Sequence, residues 1–296
     1  MSKALLPGVP ETFSLFGEPL FPQLLNPEDY ETKKSQYEQA LMNWEENPED
    51  ADAIIWLGRR AAYLGRLREA TGIFSMGMAM HAEDSRMLRH RGHRFLNLRL
   101  FDLGITDLEK AAELETGRPD TIEHDGKPNP RSIPLSSLQF NIWYHLGLGY
   151  YLVGDLEAAN QAYQQCMQVS DIPDKVVATT HWQYMTLCMI GRDEDAKQVL
   201  RRVKKDMDII ENKDYHRLLL MYKGETTPEQ LMESLRGGDP LRLATTGYGI
   251  GNWYMYNGDE WKASEVWREV LATRNWPSFG YIAAEADMKR LCLPLI

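Results

Sequence analysis

Along the chain, large apolar residues recur at fixed offsets from small ones. Four segments read Gly65-Arg-Leu-Arg-Glu-Ala70, Gly154-Asp-Leu-Glu-Ala-Ala159, Gly191-Arg-Asp-Glu-Asp-Ala196 and Gly258-Asp-Glu-Trp-Lys-Ala263. Four residues beyond each alanine stands a large apolar side chain: Phe74, Tyr163, Leu200 and Trp267. Seven residues before three of the glycines lies another glycine, Gly58, Gly147 or Gly251, with Tyr184 in the fourth segment. An offset of four puts two residues on one helical face, so each segment predicts a helix opening just after its first glycine.

The pattern reads as antiparallel helix pairs packed closely together. The early glycine lets two backbones approach, and the later one takes the left-handed conformation that ends the first helix. An acidic residue then opens the second helix near its positive end. The alanine falls at the closest crossing.

These residues resemble the tetratricopeptide repeat, a helix–turn–helix unit of about 34 residues with Trp, Leu-Gly, Tyr, Gly, Ala, Phe, Ala and Pro at set places. One repeat runs from about Ala51 to Asp84, and a second from about Ser85 to Arg118 with Arg91-Gly92, Phe95, Leu108 and Ala111. That second unit puts Arg99 at the turn and Gly104 in place of alanine, which predicts an altered turn. The third, Phe140 to Pro173, matches best, with Trp143, Leu146-Gly147, Tyr150 and Tyr163. A fourth spans about Val177 to Ile210, and a fifth about Ala244 to Pro277. The resemblance implies an all-α fold, a right-handed superhelix of antiparallel helix pairs.

The remaining boundaries follow from breakers. Residues 1–25 carry Pro7, Pro10, Pro19 and Pro22 and should form an extended arm. Residues 26–50 should hold a helix started by Asn26-Pro27, with Tyr30, Tyr37, Leu41 and Trp44 as its apolar face. Repeats one and two fill 51–118. A Pro/Gly-rich stretch breaks the period at 116–134, giving an insert loop over 119–139 that Ile122, Ile133 and Leu135 should anchor. Repeats three and four fill 140–210, a shortened helix pair 211–243, and the fifth repeat 244–277. Residues 278–296 should be a solvent-facing capping helix and tail.

The net charge of −10 excludes a protein built to neutralise phosphates, so no nucleic-acid partner is expected. Yet Arg59, Arg60, Arg66, Arg68, Arg86, Arg89, Arg91, Arg94 and Arg99 make one stretch basic, which suits an acidic or carboxylate-bearing ligand. Cys166, Cys188 and Cys292 are too scattered for a disulfide framework, and no run is apolar enough to span a bilayer. With no signal peptide evident at the start, a cytoplasmic protein is expected.

In tetratricopeptide arrays the first helix of each pair lines a concave groove. The resemblance therefore implies a ligand groove made by Arg59, Arg89, His90, His93, Asn97, Asn141, Tyr144, His145, His181, Trp182, Tyr248 and Asn252, beside Tyr63, Arg86, Tyr151, Met185 and Tyr256. These residue types supply contact area and hydrogen bonds at interfaces. The carboxylate clamp of some relatives is missing, because Ile55, Arg59, Arg89 and His93 occupy its places.

The expected function is a non-enzymatic scaffold that binds a protein or peptide, with no cofactor. Two rivals stay open. One is a metal-binding or hydrolytic enzyme using His90, His93, His145 and His181, since three imidazoles can hold zinc. The other is self-association into a homo-oligomer through Trp261 and Trp267. No Gly-rich phosphate loop or nucleophile elbow is present in the sequence.

Overall fold

A computed structural model describes residues 8–293. The first seven residues of the expected arm and the last three of the expected tail lie outside them. The chain forms two compact units, Met1–Thr116 and Gly117–Ile296. Among the described residues no helix is long and apolar enough to cross a membrane.

In the first unit the arm folds back as a hairpin. Strands β1 (Thr12–Phe13) and β2 (Pro19–Leu20) pair antiparallel, with Thr12 opposite Leu20. The Ser14 hydroxyl accepts the N–H groups of Phe16 and Glu18 inside the turn. Helix α1 (Pro27–Glu46) follows, its Asn26 cap accepting the Asp29 N–H at 2.8 Å. Ala40 is its buried residue, whereas Tyr30 is exposed and Tyr37, Leu41 and Trp44 are half-buried. The expected apolar face is thus only partly covered.

Two full pairs come next: α2 (Ala51–Tyr63) with α3 (Leu67–Met80), and α4 (Ser85–Asn97) with α5 (Phe101–Leu114). The early glycines have the role read from the pattern. A methyl group on Gly58 would lie 2.5 Å from the Phe74 ring, so glycine alone leaves room for it. In the second pair Gly92 and Gly104 face each other, each approaching the other's carbonyl oxygen. Gly104 therefore extends a close crossing that alanine would block. The turn after α4 is not altered. Arg99 adopts φ +65°, close to the +79° of Gly65 at the equivalent place. Its guanidinium donates to the Asn97 carbonyl at 2.6 Å, which offsets part of the cost of a left-handed non-glycine residue.

The second unit contains the insert, α6 (Leu138–Val153), α7 (Leu156–Gln168), α8 (Pro173–Met189), α9 (Asp193–Leu200), α10 (Lys213–Tyr222), α11 (Pro228–Glu233), α12 (Pro240–Tyr256), α13 (Glu260–Ala272) and α14 (Phe279–Arg290). Gly154, Gly191 and Gly258 take positive φ at the turns, as expected. The shortened pair is α10 and α11, with Gly224 at its turn and a capping box between Thr227 and Gln230.

The fourth pair is also short. Its second helix stops at Leu200, and residues 201–212 run irregularly although the fourth repeat was expected to continue to about Ile210. Asp174, buried in the first turn of α8, fixes that run by accepting the N–H groups of Ile210, Glu211 and Asn212 at 2.8–2.9 Å. One carboxylate thus satisfies backbone donors that a helix would have paired internally.

The insert packs on this unit by polar contacts. Glu123 N–H donates to Ser136 O and Leu138 N–H to Thr121 O, while Arg131 meets Asp208 with two bonds of 2.8 Å. Of the three expected anchors Leu135 is buried, while Ile122 and Ile133 are exposed; Asn129 is buried as well.

The largest departure is α14. It does not face solvent, for nine of its 12 residues are buried. Helix α6 touches α8, α8 touches α12, α12 touches α14, and α14 touches α6. The inner helices of the unit therefore close into a ring. The approach of α14 to α12 is backbone to backbone, because a methyl group on Gly280 would collide with the Ala244 carbonyl.

Candidate functional site

The expected groove residues divide between the two units. In the first, Arg59 on α2 and Arg89, His90 and Asn97 on α4 are buried, and His93 is half-buried. His90 stacks on Phe74 with centroids 5.4 Å apart. Its Nδ1 accepts from the Arg89 guanidinium at 2.9 Å, and His93 Nδ1 accepts from Arg94 at 2.8 Å.

Helices α2 and α4 lie side by side, and Arg86 reaches Asp52 at 2.5 Å across them. On α2, Trp56, Arg59 and Tyr63 follow at i, i+3 and i+7 and so share a face. The Arg59 guanidinium lies 4.2 Å from the centre of the Trp56 ring, and that of Arg60 5.0 Å from it. Trp56 and Tyr63 remain half-buried, as do Arg60, Arg86 and Arg94. Trp56 was missed in the sequence, although its spacing to Arg59 and Tyr63 carried the signal.

In the second unit the expected residues do converge, but inside the helix ring. Asn141, His145, His181, Trp182, Tyr248 and Asn252 are buried there, and Tyr144 is half-buried. Asn141 donates to Ser136 and His145 packs on Phe279, and two polar clusters organise the others. In one, His181 stacks between Tyr215, at 4.6 Å, and Tyr222, at 5.9 Å, both on α10. Its Nε2 has no partner, and burial lowers its pKa to about 3, so the ring is neutral at physiological pH. Tyr215 also meets the Tyr144 hydroxyl at 3.1 Å and the Trp182 indole N–H at 3.4 Å.

The second cluster is a directed chain. Asn252 Nδ2 donates to Tyr151 Oη at 2.6 Å, and Tyr151 and Tyr248 share a bond of 2.6 Å. Tyr248 donates to Asp287 at 2.6 Å, and Arg290 donates to the other Asp287 oxygen at 2.9 Å. Since Tyr248 gives its proton to Asp287, Tyr151 is the donor between the two tyrosines. Arg290 also donates to the carbonyls of Tyr151 and Leu152 near the C-terminus of α6, where a cation is favoured. Burial raises the Asp287 pKa, while Arg290 and then Tyr248 pull it back.

Chemically these clusters link helices. Closure by α10 and α14 turned side chains expected on an open face into an interior. Most polar groups there are taken up by internal bonds, while His181 Nε2 and Asn252 Oδ1 are left without one among the described residues. Among the described residues no three His, Cys, Asp or Glu side chains converge to hold a metal ion. Cys166 is buried, which pushes its thiol up to about 12. Trp267 is buried against Gly251, so of the two tryptophans considered for self-association Trp261 alone is exposed. An open cleft of about 460 Å³ lies beside α11, α12 and α13, with Met232, Leu235, Leu243 and Ala272 among its aliphatic walls.

Successive antiparallel pairs, each crossing at a small residue beneath a large one, define an all-α helical-repeat protein. The particular fold is the tetratricopeptide type. A tetratricopeptide repeat protein from Parabacteroides merdae is similar at a TM-score of 0.51 and 15% identity, over 88% of this chain and 94% of its own. The Rap conjugation gene regulator of plasmid pLS20, solved with a Phr peptide, is similar at 0.51 and 16%, over 90% and 72%. The APC/C hetero-tetramer Cut9–Hcn1 is similar at 0.51 and 15%, over 83% of this chain and 44% of that one. No protein-family model and no curated protein matches the sequence.

Proposed function

We propose that the protein is a non-enzymatic scaffold whose α2–α4 face binds an acidic segment of a partner protein. The observation that carries this is the interleaving of flat and cationic side chains on two adjacent helices. Trp56, Tyr63 and His93 offer contact area, while Arg59, Arg60, Arg86, Arg89 and Arg94 set a positive potential. Asp52 and Asp84 offset part of that charge through Arg86. A carboxylate near such a cluster gains charge-assisted hydrogen bonds, and an aromatic beneath an arginine keeps its guanidinium oriented. A neighbour of the same fold holds a peptide, which agrees with this use.

The reading also supports a reducing compartment such as the cytoplasm, because Cys292 is an exposed free thiol. The test is fluorescence anisotropy with a labelled Asp/Glu-rich 12-residue peptide and a Lys-rich control. Binding of the acidic peptide should weaken about tenfold or more in Trp56→Ala/His93→Ala, and it should weaken with salt. Equal affinity for both peptides, or no effect of the double variant, rejects this face as the site.

A further inference from the structure

A cleft of about 150 Å³ opens between α7, α8 and α9, on a part of the second unit to which none of the preceding reading assigns a role. Its floor is polar although it lies inside the fold. Asn160 is 2% exposed and Gln183 3%. Gln183 Nε2 donates to Asn160 Oδ1 at 3.3 Å, and Arg202 donates to Gln183 Oε1 at 3.5 Å. Both bonds are long, at the edge of useful geometry. The two buried amides are therefore poorly matched, where buried polar groups normally find good partners, and Arg202 at the rim is exposed.

Charge at the rim selects the ligand. Arg192, also in the lining, is already held by Asp195 at 2.7 Å. Arg202 makes no ion pair among the described residues, and Lys205 nearby in the irregular run makes none either. The cleft thus presents one guanidinium free to take a negative charge. Asp195 borders the same space, which disfavours a doubly charged phosphate. Leu187 and Val199 complete the walls with aliphatic surface.

We propose that this cleft is a second binding site, and that it takes the side chain of a glutamate residue in a peptide. The carboxylate meets Arg202 in a charge-assisted pair. The methylene stem lies on Leu187 and Val199, and the peptide's own amide groups complete the bonding of Gln183 and Asn160. The volume suits one side chain of this size, so the site reads a single residue. It is independent of the α2–α4 face.

The experiment follows the side-chain amide NMR signals of the full-length protein during titration with acetyl-Gly-Glu-Gly-amide. Shifts at Asn160 and Gln183 are expected with the Glu peptide and are expected to be absent with acetyl-Gly-Gln-Gly-amide. Arg202→Gln should weaken binding at least tenfold, whereas Lys205→Gln should change it less than threefold. Arg202 is exposed, so its variant should fold, and an unchanged amide spectrum elsewhere checks this. Trp56→Ala/His93→Ala should leave these shifts intact, which separates failure of this site from failure of the other. No shift at 10 mM peptide, or equal affinity in Arg202→Gln, overturns the proposal. Tighter binding of free glutamate than of the capped peptide overturns the peptide as its source.

Discussion

The hydroxyl of Tyr248 on α12 donates to the buried carboxylate of Asp287 on α14 at 2.6 Å, tying the closing helix to the ring it completes. Removing that hydroxyl leaves Asp287 to Arg290 alone and takes the acceptor from Tyr151. Tyr248→Phe should cost about 1–3 kcal/mol, the range for a buried hydrogen bond whose partner stays behind. Urea unfolding measures it. An unchanged midpoint with an unchanged slope would show that the bond contributes nothing to closure.

Asp287 should also give the unit a pH signature. Burial raises its folded pKa above the ordinary 3.8, so the folded state holds its proton more tightly than the unfolded chain does. Such a contribution is complete at low pH and is lost as pH rises through the raised value. Relative to Asp287→Asn, the wild type should therefore gain stability as pH falls from 7 towards 4. A stability difference that stays flat over that interval would contradict the assignment.

His181 acts in the opposite sense. Its folded pKa of about 3 lies below the ordinary 6.5 because burial disfavours the cation. Stability from this group is complete above pH 6.5, falls as pH drops, and is lost on passing about 3. The slope between those limits should be about 1.4 kcal/mol per pH unit. In His181→Phe, which keeps a ring between Tyr215 and Tyr222, that slope should vanish. Parallel stability–pH curves for the two proteins would be the adverse result.

At Gly147 an added methyl would stand 2.5 Å from the Tyr163 ring. Gly147→Ala should be destabilised by about 1–3 kcal/mol through overpacking. Glu157→Ala, exposed and 3.8 Å from Arg192, should stay within about 0.5 kcal/mol. Adding Tyr163→Leu should recover part of the Gly147→Ala loss, because it removes the ring the methyl meets, and the fourth pair sets Leu200 sixteen positions after Tyr184 in place of glycine. Additive losses in the double variant would mean that the two residues do not compete for the same space.

Asp174 predicts a local effect. In Asp174→Ala three backbone donors of residues 210–212 lose their acceptor. Hydrogen exchange in 201–212 should accelerate at least tenfold while α12 and α13 change little. Uniform acceleration across the unit would mean that the carboxylate supports global stability and not this segment.

The helix pairs were legible because a close crossing demands a small residue, and Gly58, Gly147 and Gly251 each sit under the aromatic sixteen positions on. The turns were legible for a similar reason, and Arg99 shows the limit: its conformation follows from the pair's geometry, not from its own preference. What could not be read was which faces would be covered. Register within tetratricopeptide pairs put His181, Tyr248 and Asn252 on an expected open groove, whereas they lie in an interior closed by α10 over His181 and by α14 beside Tyr248. A signal did exist in α14. Its first six residues, Phe279 to Ala284, carry no charge, and such a run belongs inside. Short second helices such as α9 also escaped, because Asp174 replaces by long-range bonds what local sequence would have had to encode.

The closing position of α14 has a consequence for how the protein is made. Arg290 grips the end of α6 from 139 positions further along the chain. At ribosomal rates of about 5–20 residues per second, the wait between those segments is on the order of ten seconds. For that interval Tyr151 has emerged without its later partners, and Tyr248, once made, still waits for Asp287, so the nascent chain presents aromatic surface before it can be hidden. Conditions that slow elongation over the stretch before α14 should raise dependence on holding chaperones, and the mature protein, once shut, should lose it.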